Sequence, residues 1–222
     1  MSVFKGVLFD YDGTLVQSMG FHFQAWKNAL AMYDIQIREE EYYPLEGTSV
    51  HELASLFIKN KSKTELTPLL TKELIAKKEE IFLNLYQFNL YPGVEELIDA
   101  LKSHHIPIAI VTAGLKARIE NSTPASFLKQ FDAIVTADIL SHGKPHPMPY
   151  LTASKFCGIN PKEAIVVENA PLGIRSAKSA GCYCIAISST MSKDKLKDAD
   201  QIYDSILDMR KNLTDLLQRN DK

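Results

Sequence analysis

The chain is poor in cysteine, in long apolar runs and in excess charge of either sign. Its three cysteines are odd in number and too few for a disulfide framework. Cys182 and Cys184, two apart in CYCIAI, share one face of an expected strand and read as buried thiols, not as half of a zinc site. The expected compartment is therefore the reducing cytoplasm. No apolar run approaches the roughly 20 residues that cross a bilayer, and the N-terminal stretch has no signal-peptide apolar segment. Membrane partners are not expected. Net charge is −2 with no basic block or stripe, which argues against nucleic acid as a partner. There is no internal repeat and no low-complexity segment. What is left, 45% hydrophobic and 23% charged over 222 residues, suits an ordinary soluble chain of one domain or one domain carrying an insertion. A monomer is expected.

Strand-like runs recur along it: VLFD after residue 6, IPIAIVT (106–112), DAIVTA (132–137), AIVVEN (164–169) and CYCIAIS (182–188). Helical patterns such as VEELIDALKSHH and PLGIRSAKSAG separate the later ones. Near-continuous Val, Ile and Ala strands alternating with amphipathic helices predict an α/β fold, a doubly wound parallel sheet covered on both faces. From about residue 17 to 89 the pattern is helical only. Leu70, Leu74, Ile81, Leu85 and Phe88 are spaced for one helical face, and so are His22, Trp26, Ala29 and Tyr33. This interval reads as a helical domain inserted after the first strand, giving a core of 1–16 plus 90–222 and a cap of 17–89. The tail after residue 196 reads as a short edge strand and a closing helix.

In open parallel sheets chemistry gathers beyond the carboxyl ends of the strands, and there the sequence places Asp10, Asp12, Thr112, Glu168 and Asn169. The first strand, VLFDYDGTL, ends in two carboxylates, which are costly in a buried position without a cation between them. Thr112 offers a hydroxyl followed by small residues whose N–H groups can approach an anion. Lys144 sits in a loop stiffened by Pro145, Pro147 and Pro149. If these groups converge, they make an Mg²⁺ and phosphate site of oxygen ligands.

FDYDGT, VTAG, GKPHPMPYL and VVENAPLGIRSAKSAG, in this order, resemble the four motifs of the haloacid dehalogenase-like hydrolase superfamily, and the segment between the first two resembles its small helical cap. The nearest resemblance is to the phosphatases and mutases related to phosphoglycolate phosphatase and β-phosphoglucomutase. The resemblance implies a Rossmann-like core and an Mg²⁺-dependent hydrolysis of a small phosphomonoester, a sugar phosphate, phosphoglycolate or similar metabolite. Asp10 would be the nucleophile that becomes an aspartyl-phosphate, and Asp12 the general acid and then base. Thr112 and Ala113 would hold phosphoryl oxygens, Lys144 would neutralise charge, and Asp10, Asp12, Glu168 and Asn169 would hold the metal.

Two departures from the pattern bear on the reaction. Asn169 stands where the last motif usually has Asp, and brings no charge. In the cap, His22 and Trp26 match the mutase pattern and Gly47, Thr48 and His51 fall in the loop that checks substrate. Where the mutase has a lysine before that glycine and an arginine three residues after it, this chain has Glu46 and Val50, a poor grip for a second phosphate. Hydrolysis is thus favoured over a mutase, with a catalytically weak phospho-ligand-binding protein as the reading from another class. No cap lysine or cysteine is placed for phosphonate chemistry, Lys59, Lys61 and Lys63 lying in a solvated run. The dehalogenase branch, which lacks the second aspartate, is set aside because Asp12 is present.

Overall fold

Short apolar runs closed by turns make the sheet. Gly6–Phe9 (β1), Ile108–Val111 (β2), Ala133–Val135 (β3), Ala164–Glu168 (β4), Tyr183–Ile187 (β5) and Gln201–Tyr203 (β6) are its strands in the computed structural model, which describes residues 4–61 and 67–212. All pairs are parallel and the order is β3-β2-β1-β4-β5-β6. Register puts Phe9 beside both Ile110 and Val167, so the residues after these three central strands emerge at one edge. Helices Met19–Ala31 (α1), Glu39–Tyr42 (α2), Val50–Lys61 (α3) and Pro68–Leu85 (α4) follow β1. Val94–Ser103 (α5), Lys116–Ser122 (α6), Ala125–Leu128 (α7), Met148–Phe156 (α8), Pro171–Ser179 (α9) and Ile206–Lys211 (α10) flank the sheet.

The two-residue period of a strand divides the core. Val7, Phe9, Ile110 and Val167 face α5 and α10, with Leu97, Leu101 and Met209 among their partners. Leu8, Ala109, Val111 and Val166 face α8 and α9, against Tyr150, Ala153 and Ile174. The buried members of a third cluster lie within residues 19–75, around Trp26, Leu30, Leu53, Phe57 and Leu74, with Ile81 and Leu115 packed against it. The chain leaves the sheet layer and returns to it at one place: Val16 bridges to Leu90, and the Gln17 N–H donates to the Asn89 carbonyl.

One expectation of periodicity does not hold. α4 ends at Leu85, so Phe88 lies beyond it and packs on the sheet's cluster, and Leu85 is exposed. The buried stripe of α4 is Leu74, Ile75, Lys78 and Phe82, with a lysine on the inner face. The edge strand and the closing helix begin as expected in β6 and α10, and the rest of that helix reading lies outside the described residues. Among the described residues no helix is long and apolar enough to cross a membrane.

Candidate active site

Three of the expected groups, Asp10, Lys144 and Glu168, meet at the carboxyl edge of β1, β2 and β4. Asp10 follows β1 directly, and its Oδ1 accepts from Lys144 Nζ at 2.6 Å. The lysine also donates to Glu168 Oε1 at 2.6 Å and to the Val111 carbonyl at 3.2 Å. Tyr150 of α8 donates to the same Glu168 oxygen, and the main-chain N–H groups of Asn169 and Ala170 donate to the other. Each Glu168 oxygen thus accepts two hydrogen bonds, Oε1 from Lys144 and Tyr150 and Oε2 from the main chain. Asp10 Oδ2, by contrast, is buried and has no hydrogen-bond partner among the described residues. Burial lifts the Asp10 carboxyl to about 7 against the pull of Lys144, whereas burial of Lys144 is outweighed by Asp10 and Glu168, which raise it and keep it an ammonium.

Asp12 is held quite differently. Its carboxylate accepts from Ser18 Oγ (2.7 Å), His22 Nε2 (3.0 Å), Thr112 Oγ1 (3.3 Å) and, in a fork, Arg118 Nη1 and Nη2 (3.1 and 2.5 Å). Burial acts to raise it, but Arg118 and His22 hold it well below the usual carboxylate range. His22 in turn faces Lys78, whose Nζ is 3.0 Å from Nδ1. Burial and the neighbouring ammonium push the imidazole down to about 4. The neutral ring then accepts from Lys78 at Nδ1 and donates to Asp12 through Nε2, a tautomer assigned from these partners. Arg118 and Lys78 carried no sequence signal. Each lies on the inner side of a helix where an apolar residue is the ordinary expectation.

Glycines let these groups approach. Gly13 has φ +85°, and a Cβ there would overlap the Asn169 amide. At Gly114 a Cβ would overlap the Arg118 guanidinium, so only glycine lets that side chain reach back to Asp12. The Thr112 hydroxyl accepts from the Gly114 N–H at 3.0 Å, which sets the loop that carries Ala113.

Asp10, Asp12, Thr112, Ala113 and Asn169 line one cavity of about 60 Å³. From the helical layer it is lined by His22, Trp26, Glu46, Gly47 and Thr48. The cap residues expected from the sequence are thus beside the core carboxylates, with one exception. His51 is exposed and lines a neighbouring cavity beside Lys72 and Glu79. The helical turn explains it, because Val50 faces inward and the next residue lies about 100° round the axis. Glu46 turns inward after the 3₁₀ turn Tyr43–Leu45. Its Oε2 accepts from Asn169 Nδ2 at 2.9 Å and from Thr190 Oγ1 at 2.8 Å, and its Oε1 is buried with no partner among the described residues. Burial lifts this carboxyl to about 8.

Comparison with known proteins gives this geometry a setting. A family model described as haloacid dehalogenase-like hydrolase matches residues 7–187. Hexitol phosphatase A of Escherichia coli is 31% identical over 91% of this chain and 91% of its own length. The β-phosphoglucomutase of Bacillus subtilis is 30% identical over 82% of this chain and 83% of its own. Among solved structures, CbbY from Rhodobacter sphaeroides in complex with phosphate superposes with a TM-score of 0.81 at 27% identity, covering 93% of this chain and 96% of that one.

Proposed function

The chain belongs to the haloacid dehalogenase-like hydrolase family, and from that premise we propose that it is an Mg²⁺-dependent phosphatase of small phosphomonoesters, sugar or sugar-alcohol phosphates foremost. It would act as a monomer in the cytoplasm, on a metabolite and not on a nucleic acid. One observation carries the reading: Asp10 has one oxygen gripped by Lys144 and the other bare, in a cavity shared with a second aspartate. A carboxylate so placed is suited to attack phosphorus in line while the lysine draws off charge.

In this reading Asp10 Oδ2 forms the new P–O bond as the bond from phosphorus to the leaving alcohol breaks, and the alcohol oxygen takes a proton from Asp12. Water then attacks the aspartyl-phosphate, Asp12 takes its proton, and inorganic phosphate leaves with Asp10 restored. The carboxylate of Asp12 as held here suits the second step. For the first it must be protonated, which requires Arg118 to be drawn off it. A phosphate group entering beside Thr112 and Ala113 is a strong competitor for that guanidinium.

A hard cation fits the residues present. The Asp10 carboxylate, the main-chain carbonyl of Asp12 and the amide oxygen of Asn169, which accepts a single hydrogen bond from Thr14 at 3.2 Å, are all oxygen donors. When bound, Mg²⁺ would neutralise the phosphoryl oxygens and part of the charge on Asp10. Glu168 would contribute by fixing Lys144.

The test is phosphate release from a panel of hexose, hexitol and glycolate phosphates with and without Mg²⁺, for the wild type and Asp10→Asn. Metal-dependent release that vanishes in the variant is expected. No release from any compound would overturn the reading, and an isomerised sugar phosphate without release would point to a mutase.

A further inference from the structure

The cavity contains a carboxylate to which the reaction above gives no task. Glu46 comes from the helical layer, is only 3% exposed, and reaches across to the end of β4. Its two partners, the Asn169 amide and the Thr190 hydroxyl, are both neutral. A glutamine would accept those two hydrogen bonds equally well. A carboxyl group in this place gains over an amide only where a cation comes to it, and among the described residues no cationic side chain is paired with it. Its Oε1 is unpartnered and buried, as is Asp10 Oδ2, and both residues line the same cavity.

Charge balance points the same way. Asp12 is matched by Arg118 and Glu168 by Lys144. That leaves Asp10 as the single uncompensated carboxylate of the core, since Lys144 is shared between it and Glu168. Asn169, at the place where a second charge would complete the donors, is neutral. Glu46 would supply a second carboxylate beside Asp10, and the two together match the charge of a divalent ion.

We propose that Glu46 is the second carboxylate of the cation site, carried to it by the helical layer. Cation binding and seating of that layer on the sheet are then one linked event, since the ion is bound fully only when the segment around Glu46 is in place. The Gly47 backbone, at φ +84°, lets the chain turn immediately after Glu46 has been delivered. This inference rests on reading the site as a divalent-cation site.

The test is Mg²⁺ binding alone, by calorimetry and by the rise in melting temperature, on the whole chain. The variants are Glu46→Gln, Asp10→Asn, and Glu46→Gln combined with Asn169→Asp. We expect Glu46→Gln to weaken Mg²⁺ binding roughly tenfold or more, the scale on which metal-supporting groups act. Without metal it should melt close to the wild type, because the glutamine oxygen accepts the same two hydrogen bonds from Asn169 and Thr190. Adding Asn169→Asp should restore much of the affinity by returning a carboxylate from the core side. Unchanged affinity in Glu46→Gln, with binding still lost in Asp10→Asn, overturns the role of Glu46 and leaves the cation site standing. A lower metal-free melting temperature, with affinity not restored by the second substitution, marks Glu46 as a structural latch and also overturns it. Failure of the wild type to bind Mg²⁺ overturns the cation site and this inference together.

Discussion

Asp12 accepts five hydrogen bonds, two of them from one guanidinium, and so the arginine that no motif announced has much to do with how this site is built. Arg118 is 4% exposed. Removing it strands a carboxylate whose remaining donors are a neutral imidazole and two hydroxyls. Breaking a buried pair from one side is costly, so Arg118→Ala should destabilise the protein by about 3 kcal/mol, read from the urea midpoint. Arg118→Lys should recover only part, for want of the bidentate fork. An unchanged midpoint in the alanine variant would sink the argument. The cysteines make a second prediction. Burial pushes the Cys157 thiol up to about 11 and Cys182 to about 12, and holds Cys184 well above the ordinary value. Since the thiolate is the reactive form, a disulfide-exchange reagent at pH 8 should react slowly with the native protein. All three thiols should react quickly in urea, and the half-buried Cys157 should quicken as pH rises toward 11. Rapid native reaction at neutral pH would contradict this.

On α4 a lysine occupies the inner face, and this element tunes the site from a distance. Lys78 Nζ lies 3.0 Å from His22 Nδ1 and 3.0 Å from Glu79 Oε1, over the ring of Phe82. With burial, it depresses the His22 imidazole from 6.5 to about 4. Because the folded value is the lower one, the folded state binds fewer protons between those two pH values. Stability from this group is intact above about 6.5 and is lost as pH falls through about 4. Lys78→Met should raise the imidazole value, though not to 6.5, since burial persists, and should shrink that acid loss. An NMR titration of the His22 ring protons reads this directly, and an unmoved curve would refute it. The same element shows what was legible in the sequence. β1, β2, β4 and β5 were readable because buried parallel strands are unbroken β-branched and aliphatic runs, and Asp10, Thr112 and Glu168 because they end such runs. Arg118, Lys78 and the inward turn of Glu46 were not. Their partners lie 106, 56 and 123 residues away in the chain, and helical periodicity treats a long charged side chain as outward-facing.

At the scale of the molecule, three hydrophobic clusters share one chain, and the buried members of the third all fall within residues 19–75. The helical layer is joined to the sheet through the pairing of Val16 with Leu90, through Leu115 packed on the third cluster and Arg118 over the Phe82 ring, and through polar contacts at the site, Glu46 with Asn169 and Thr190 and His22 with Asp12. Polar contacts of this kind are individually worth about 1 kcal/mol, whereas burying an aliphatic side chain in a private cluster contributes more. The inserted segment should therefore open as a unit of its own, with the sheet left standing. Leu53 of α3 is buried in that cluster, and truncating such a leucine costs about 3 kcal/mol. In Leu53→Ala, amides of α1 and α3 should exchange with solvent roughly a hundredfold faster, while those of β1 and β4 keep their protection. Trp26, the single tryptophan, sits in the same cluster beside Phe57, so its fluorescence should report the earlier opening in urea while the sheet amides report the later one. Equal loss of protection in β4 would mean that the polar seam binds the two layers into one cooperative unit. In that case the site's hydrogen bonds, more than its apolar clusters, would set how the molecule opens.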